Sequence, residues 1–181
     1  NVLLRDWKAW KALGVRSISA PNGYHTSASL DTAMAIGGYA SAMDPSEPVV
    51  VHMVRNPNQP GLPRKDQNRA GRADMLATPF ATIEWEIRAQ LQRMLGAGGF
   101  DARRDILAIT VNRWPHGYAY TYDTLGDPDM PDAQRPHVIG RRPLGRIAIA
   151  NADAGAAAFT NVAIDEAERA VQECLVSRGL T

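Results

Sequence analysis

The chain has one cysteine, Cys174, so it forms no internal disulfide and has no zinc-ribbon spacing. It has little excess charge of either sign. Lys and Arg number 20 against 19 Asp and Glu, a net charge of +1. That leaves no broad field of the kind that gathers nucleic acid or an anionic membrane surface. No apolar run approaches the roughly 18 residues of a membrane-spanning helix, and no stretch reads as a signal peptide. The Walker loop, the G-x-S-x-G elbow and H-E-x-x-H are all absent. A small hydrolase built on His and Asp therefore lacks an elbow for its nucleophile. The Gly-rich G-x-G-x-x-G turn of a dinucleotide site is missing too, because "GAGGF" at 96–100 follows a helical pattern rather than a strand.

What is there is ordinary globular material: 181 residues, 45% hydrophobic and 22% charged, enough for one soluble domain or pieces of two. The chain begins at Asn1 without Met, in sequence that already has structural pattern, and this reads as a processed or truncated start. Leu3, Leu4, Trp7, Trp10 and Leu13 fall at helical spacing and predict a helix over 3–13, with the tryptophans in the core or at an interface. Residues 15–47 read as loop, most clearly at "SAPNGYHTSASL". "PVVVHMV" (48–54) predicts a buried strand, and the charged, proline-broken "RNPNQPGLPRKDQNRAGR" after it an exposed loop. A helix follows, with Thr78 as cap and Pro79 in the first turn. Its apolar stripe is Phe80, Ile83, Ile87, Leu91, Met94 and Leu95. "DILAITVNRW" (105–114) and "RIAIA" (146–150) predict strands, the second buried on both faces. The last helix is expected over 161–178, with Ala163, Ala167, Ala170, Val171 and Cys174 as a small-residue stripe and the Cys174 thiol buried and inert. The order predicts an α/β or α+β fold.

Two stretches contain candidate chemistry. If "RIAIA" is a strand, Asn151 and Asp153 lie past its carboxyl end, where open α/β sheets bind ligands. With Thr160 and Asn161 as caps, the N–H groups of Val162 and Ala163 would point outward to an anion or a carbonyl oxygen. Asp153 would accept hydrogen bonds from the hydroxyls of a ribose or ribitol. The plain alternative is a strand, loop and helix in which Asp153 caps locally. The other stretch, "NRWPHGYAYTY", packs Arg113, Trp114, His116, Tyr118, Tyr120 and Tyr122 into ten residues. It lines either a substrate pocket or a packed strand end, and His116 is a general base by residue type. No metal site is predicted. His25, His52 and His137 have no metal spacing, and two prolines break the acidic run Asp123, Asp127, Asp129 and Asp132, with no Glu at the EF-hand offset.

Together, "DILAITVNRWPHGYAY" and "GRIAIANADAGAAAFTNVAIDEAERAV" resemble the C-terminal portion of FAD-dependent amine oxidases, in particular the spermidine dehydrogenase-like branch. "VLLRDWKAWKALGV" is similar to the substrate-domain region of that branch. The resemblance implies two regions: 1–142 from the substrate domain, and 143–181 as the strand and helix that return to the FAD domain. It implies that Asp153, with Asn151 beside it, contacts the ribityl or diphosphate part of FAD. The amides after Thr160, at Asn161 and Val162, would face the pyrimidine edge of the flavin. Trp114, His116 and Tyr118 would lie on the substrate side, where a polyamine-like amine gives up a hydride.

The ADP-binding half of such a site is not in the sequence. The resemblance therefore also implies a partner, either the missing N-terminal FAD-binding part or a second copy, and weak or no FAD binding by the chain alone. A non-catalytic binding module that keeps the shape without the flavin is the alternative.

Overall fold

The computed structural model describes residues 1–31 and 34–179. The chain divides into two compact units, Asn1–Pro115 and His116–Thr181. Residues 116–142, grouped from sequence with the first region, thus fold with the second.

The first unit is built on a five-stranded sheet. Its strands are β1 (Val2–Leu4), β2 (Ser17–Ser19), β3 (Ser27–Leu30), β6 (Val49–Val54) and β7 (Ile106–Ile109), in the order β2-β3-β6-β1-β7. A separate hairpin, β4 (Ala35–Ile36) and β5 (Tyr39–Ala40), stands apart from it. Every pairing among the described residues is antiparallel. The architecture is therefore mixed, and in this unit it is the α+β form of the two expected.

The register places Val2 opposite both Val51 and Ile109, and Ala28 opposite Met53. Alternate residues thus share one face, and Val2, Leu4, Ala28, Val51 and Met53 are buried there. Two helices join them in one apolar cluster: α1 (Lys8–Leu13) through Ala9 and Trp10, and α3 (Phe80–Leu95) through Ile83, Ile87, Leu91 and Leu95. The apolar spacing of α3 is the one expected, except that Phe80 stays exposed.

Several expectations for this unit are overturned. The helix predicted over 3–13 is a strand followed by a short helix. Val2–Leu4 is inserted between β6 and β7, and the two ladders outweigh a weak helical preference. The loop expected over 15–47 contains β2 to β5. The "RKDQNRAG" stretch is helical, within α2 (Arg64–Ala77), which starts directly after Pro63. Its Gly71 lies so close to the Pro57 carbonyl that a β-carbon would not fit. Thr78 does not cap α3. Its hydroxyl instead donates to the Asp74 carbonyl at the end of α2, at 2.7 Å. The strand expected over 105–114 is confined to β7, preceded by a one-turn helix, α4 (Ala102–Asp105), which Asp101 caps by accepting from the Arg103 N–H.

The second unit contains α5 (Pro136–Gly140), a 3₁₀ turn at Ala152–Gly155 and the long helix α6 (Thr160–Val176). Among its described residues no strand forms. "RIAIA" has only the isolated bridge between Leu144 and Ile147, and Ile147 is 63% exposed. A strand buried on both faces needs neighbours on both sides, and the described residues of this unit supply none. Cys174 is half-buried rather than enclosed. Of the small-residue stripe only Ala170 is buried, because the inward face of α6 carries Glu166. No helix among the described residues is long and apolar enough to cross a membrane.

Candidate functional site

The corner from Asn151 to Val162 lies within the second unit. Asn151 starts the 3₁₀ turn at φ +95°, and its side-chain oxygen accepts from the Asp153 N–H at 2.8 Å. Ala156 ends the turn at φ +54°. These are the two non-glycine residues with positive φ among the described residues. For a residue with a β-carbon that conformation costs about 1–2 kcal/mol, so the turn is strained at both ends, as functional turns often are.

Gly155 sits between them. A β-carbon there would land on Val162 Cγ1 and within 3.2 Å of Glu166 Cγ. The missing side chain lets the turn lie directly against the first two turns of α6.

Phe159 is the N-cap residue of α6, and no side chain caps the helix. Thr160 and Asn161, expected as caps, are the first two residues of the helix. Their amides and that of Val162 belong to the first turn, which has no intrahelical acceptors and is the positive end of the dipole. Thr160 and Asn161 are exposed and Val162 is half-buried.

Asp153 is exposed, and its Oδ1 accepts from the backbone N–H of Tyr120 at 3.2 Å. Its Oδ2 takes no hydrogen bond from the described residues. This bond brings together the two stretches that the sequence marked separately. Tyr120 is the member of the aromatic run that reaches the corner. Its hydroxyl donates to Asp127 Oδ2 at 3.1 Å, and burial, then that bond, raises its pKa. Asp127 also accepts from the Asp123 N–H. Asp127 thus closes a local loop between Tyr120 and Asp123, and no group of three or more potential metal ligands occurs among the described residues.

The three residues expected on the substrate side are Trp114, His116 and Tyr118. Trp114 belongs to the first unit and is 75% exposed. His116 and Tyr118 belong to the second, and both are exposed, Tyr118 at 92%.

Behind the corner lies an ion network that the sequence reading missed. Glu166 accepts from Arg141 Nη1 at 2.7 Å and from Arg169 Nε at 2.6 Å, and Arg169 Nη1 also donates to Glu173 at 2.6 Å. Burial works against the Arg169 charge, but Glu173 and Glu166 outweigh it and raise its pKa. His137 nearby is shifted down by burial and by the Arg141 and Arg135 charges. The signal was legible: Glu166, Arg169 and Glu173 stand at i, i+3 and i+7, the spacing of one helix face.

No protein-family model matches the chain, and no curated protein matches it.

Proposed function

We propose that the chain is the C-terminal portion of an FAD-dependent oxidoreductase that oxidises a polyamine-like amine, and that the Asn151–Val162 corner faces the cofactor. One observation carries this reading. A strained turn with an acidic residue is pressed against the uncapped N-terminus of a 17-residue helix. That donor set fits FAD in two respects. Uncapped first-turn amides suit the electron-rich pyrimidine edge of a reduced flavin. The Oδ2 atom of Asp153 suits a sugar or ribityl hydroxyl.

FAD, when bound, supplies the acceptor for a hydride leaving the carbon next to the amine nitrogen, and the imine so formed is hydrolysed by water. The chain's own residues bind and orient. Thr160, Asn161 and Val162 present backbone N–H groups, and Asp153 accepts hydroxyls. Asn151 shapes the turn by holding the Asp153 amide. His116 and Tyr118, in the same unit as the corner, are assigned to the amine, with His116 as the proton acceptor.

The exposed apolar residues of the second unit support a missing partner surface. Ile147, Ile149, Ile164, Val171 and Val176 are all solvent-facing among its described residues, and a partner that gathered them would bury apolar surface. The same exposure favours the second reading, a non-catalytic interaction module. FAD titration separates them. The chain is titrated alone and together with a polypeptide carrying the Gly-rich βαβ unit, following flavin fluorescence and bleaching by spermidine without oxygen. The flavoenzyme reading expects no stoichiometric uptake by the chain alone, and uptake with bleaching by the pair. Tight binding by the lone chain overturns the fragment reading. No uptake by the pair overturns the flavin reading.

A further inference from the structure

The segment that contains Asn151 and Asp153 is held at one end by Arg169 of α6 and at the other by Arg141, the residue that ends α5. On one side, the Ile149 carbonyl accepts from Arg169 Nη2. On the other, the Ala154 carbonyl accepts from Arg141 Nη1 at 3.1 Å. Four residues, 150–153, lie between the two clamped carbonyls. Both guanidinium groups converge on one carboxylate, Glu166, through Oε1 for Arg141 and Oε2 for Arg169. Glu166 is 9% exposed, an unusual depth for a carboxylate. Glu173 balances the second guanidinium, so two positive and two negative charges meet behind the turn. Gly155 completes the arrangement, because a β-carbon there would press on the Glu166 side chain.

We propose that Glu166 is the positioning residue of this corner. Its two oxygens orient Arg141 and Arg169, and these in turn fix the carbonyls on either side of Asn151 and Asp153. Asp153 and the first-turn amides of α6 are thereby held toward one ligand. A fully exposed ion pair would contribute little, whereas removing one partner of a buried set leaves charge uncompensated and the geometry free to move. What the corner holds rests on the flavin reading; how the corner is held does not.

The test has two arms. In the full chain, hydrogen exchange is measured at the Asp153 and Ala154 amides, which are bonded inside the turn to Asn151. Glu166→Gln is expected to speed exchange there about tenfold, the loss of one charge-assisted bond, while the exposed neighbour Glu168→Gln leaves it unchanged. Arg141→Lys keeps the charge and releases the Ala154 carbonyl. It is expected to show the same effect even if Glu166→Gln fails to fold. In the FAD-loaded enzyme containing this chain, Glu166→Gln is expected to weaken FAD binding about tenfold and to shift the flavin absorption bands. Unchanged exchange in both variants overturns the positioning role, and so does a lower melting temperature with flavin affinity and spectrum intact. Faster exchange in an assembly that takes up no flavin supports the positioning role and overturns the reading of its ligand.

Discussion

The backbone N–H of Tyr120 donates to Asp153 Oδ1 at 3.2 Å, across 33 residues of sequence. The bond ties the aromatic run to the strained turn and commits one carboxylate oxygen, leaving the other without a hydrogen bond from the described residues. An Asp that capped only its own turn would not reach so far along the chain. In the FAD-loaded enzyme, Asp153→Ala is expected to weaken flavin retention about tenfold, read by the flavin released on gel filtration. Occupancy equal to the parent enzyme sinks the assignment.

His116→Ala is expected to act differently. With flavin still bound, turnover of the amine should fall about a hundredfold, the scale of a lost general base. Reduction by substrate without oxygen, followed in a stopped-flow instrument, isolates that step. A variant that loses flavin instead would show His116 to be structural.

Gly155 and Ala156 are neighbours with opposite expected responses. Gly155→Ala pushes a methyl into Val162 and Glu166 and should destabilise the second unit by about 1–3 kcal/mol. Ala156→Gly relieves a left-handed conformation at φ +54° and should stabilise it by about 0.5–1 kcal/mol. Urea unfolding followed by amide exchange within α6 reads both, and equal signs would refute the packing account.

In the core of the first unit, Leu91→Ala removes a fully buried side chain from the α3 face and should destabilise that unit by about 2–5 kcal/mol. The midpoint of urea unfolding, read by tryptophan fluorescence, measures the loss. A shift worth less than about 1 kcal/mol would mean that the neighbours collapse into the cavity.

Stability should also depend on pH through His25. Burial, opposed only in part by its hydrogen bond to Gln90, holds the His25 pKa below its ordinary value of 6.5, and the Arg55 charge adds to the depression. Below 6.5 the unfolded chain takes up a proton that the folded imidazole resists, so acid favours unfolding. Stability from this residue is present above 6.5 and is lost as pH falls through the folded value. His137 contributes with the same sign. Unfolding free energy measured from pH 8 to 5 should decline in parent protein and decline less in His25→Gln. An NMR titration placing the His25 pKa above 6.5 would reverse the prediction.

Legibility followed the range of the forces involved. Ile83, Ile87 and Leu91 recur every four residues, so one helix face could be read directly, and it is the face that packs in the core. The β-branched run at Val49–Val54 was equally plain. Val2–Leu4 was not, because three apolar residues beside a helical stripe carry no signal of the two strands that flank them in space. "RIAIA" reads as a buried strand by composition, yet the described residues of its unit offer no ladder to join. In the candidate site, Asn151, Asp153 and the start of α6 were marked by residue type and order. The bond from Tyr120 to Asp153 and the two bonds of Arg141 were not, since they join residues 33, 13 and 25 positions apart.

By itself, then, the sequence determined composition-level limits, the apolar face of α3, the β6 strand, and the turn-then-helix order of the corner. These depend on neighbours within a few residues. The tertiary structure alone decided that Val2–Leu4 is a central strand, that the second unit lacks a sheet among its described residues, and that Glu166 lies buried between two arginines. Ladders and buried ion networks are pairings between distant segments, and local pattern does not name the partner.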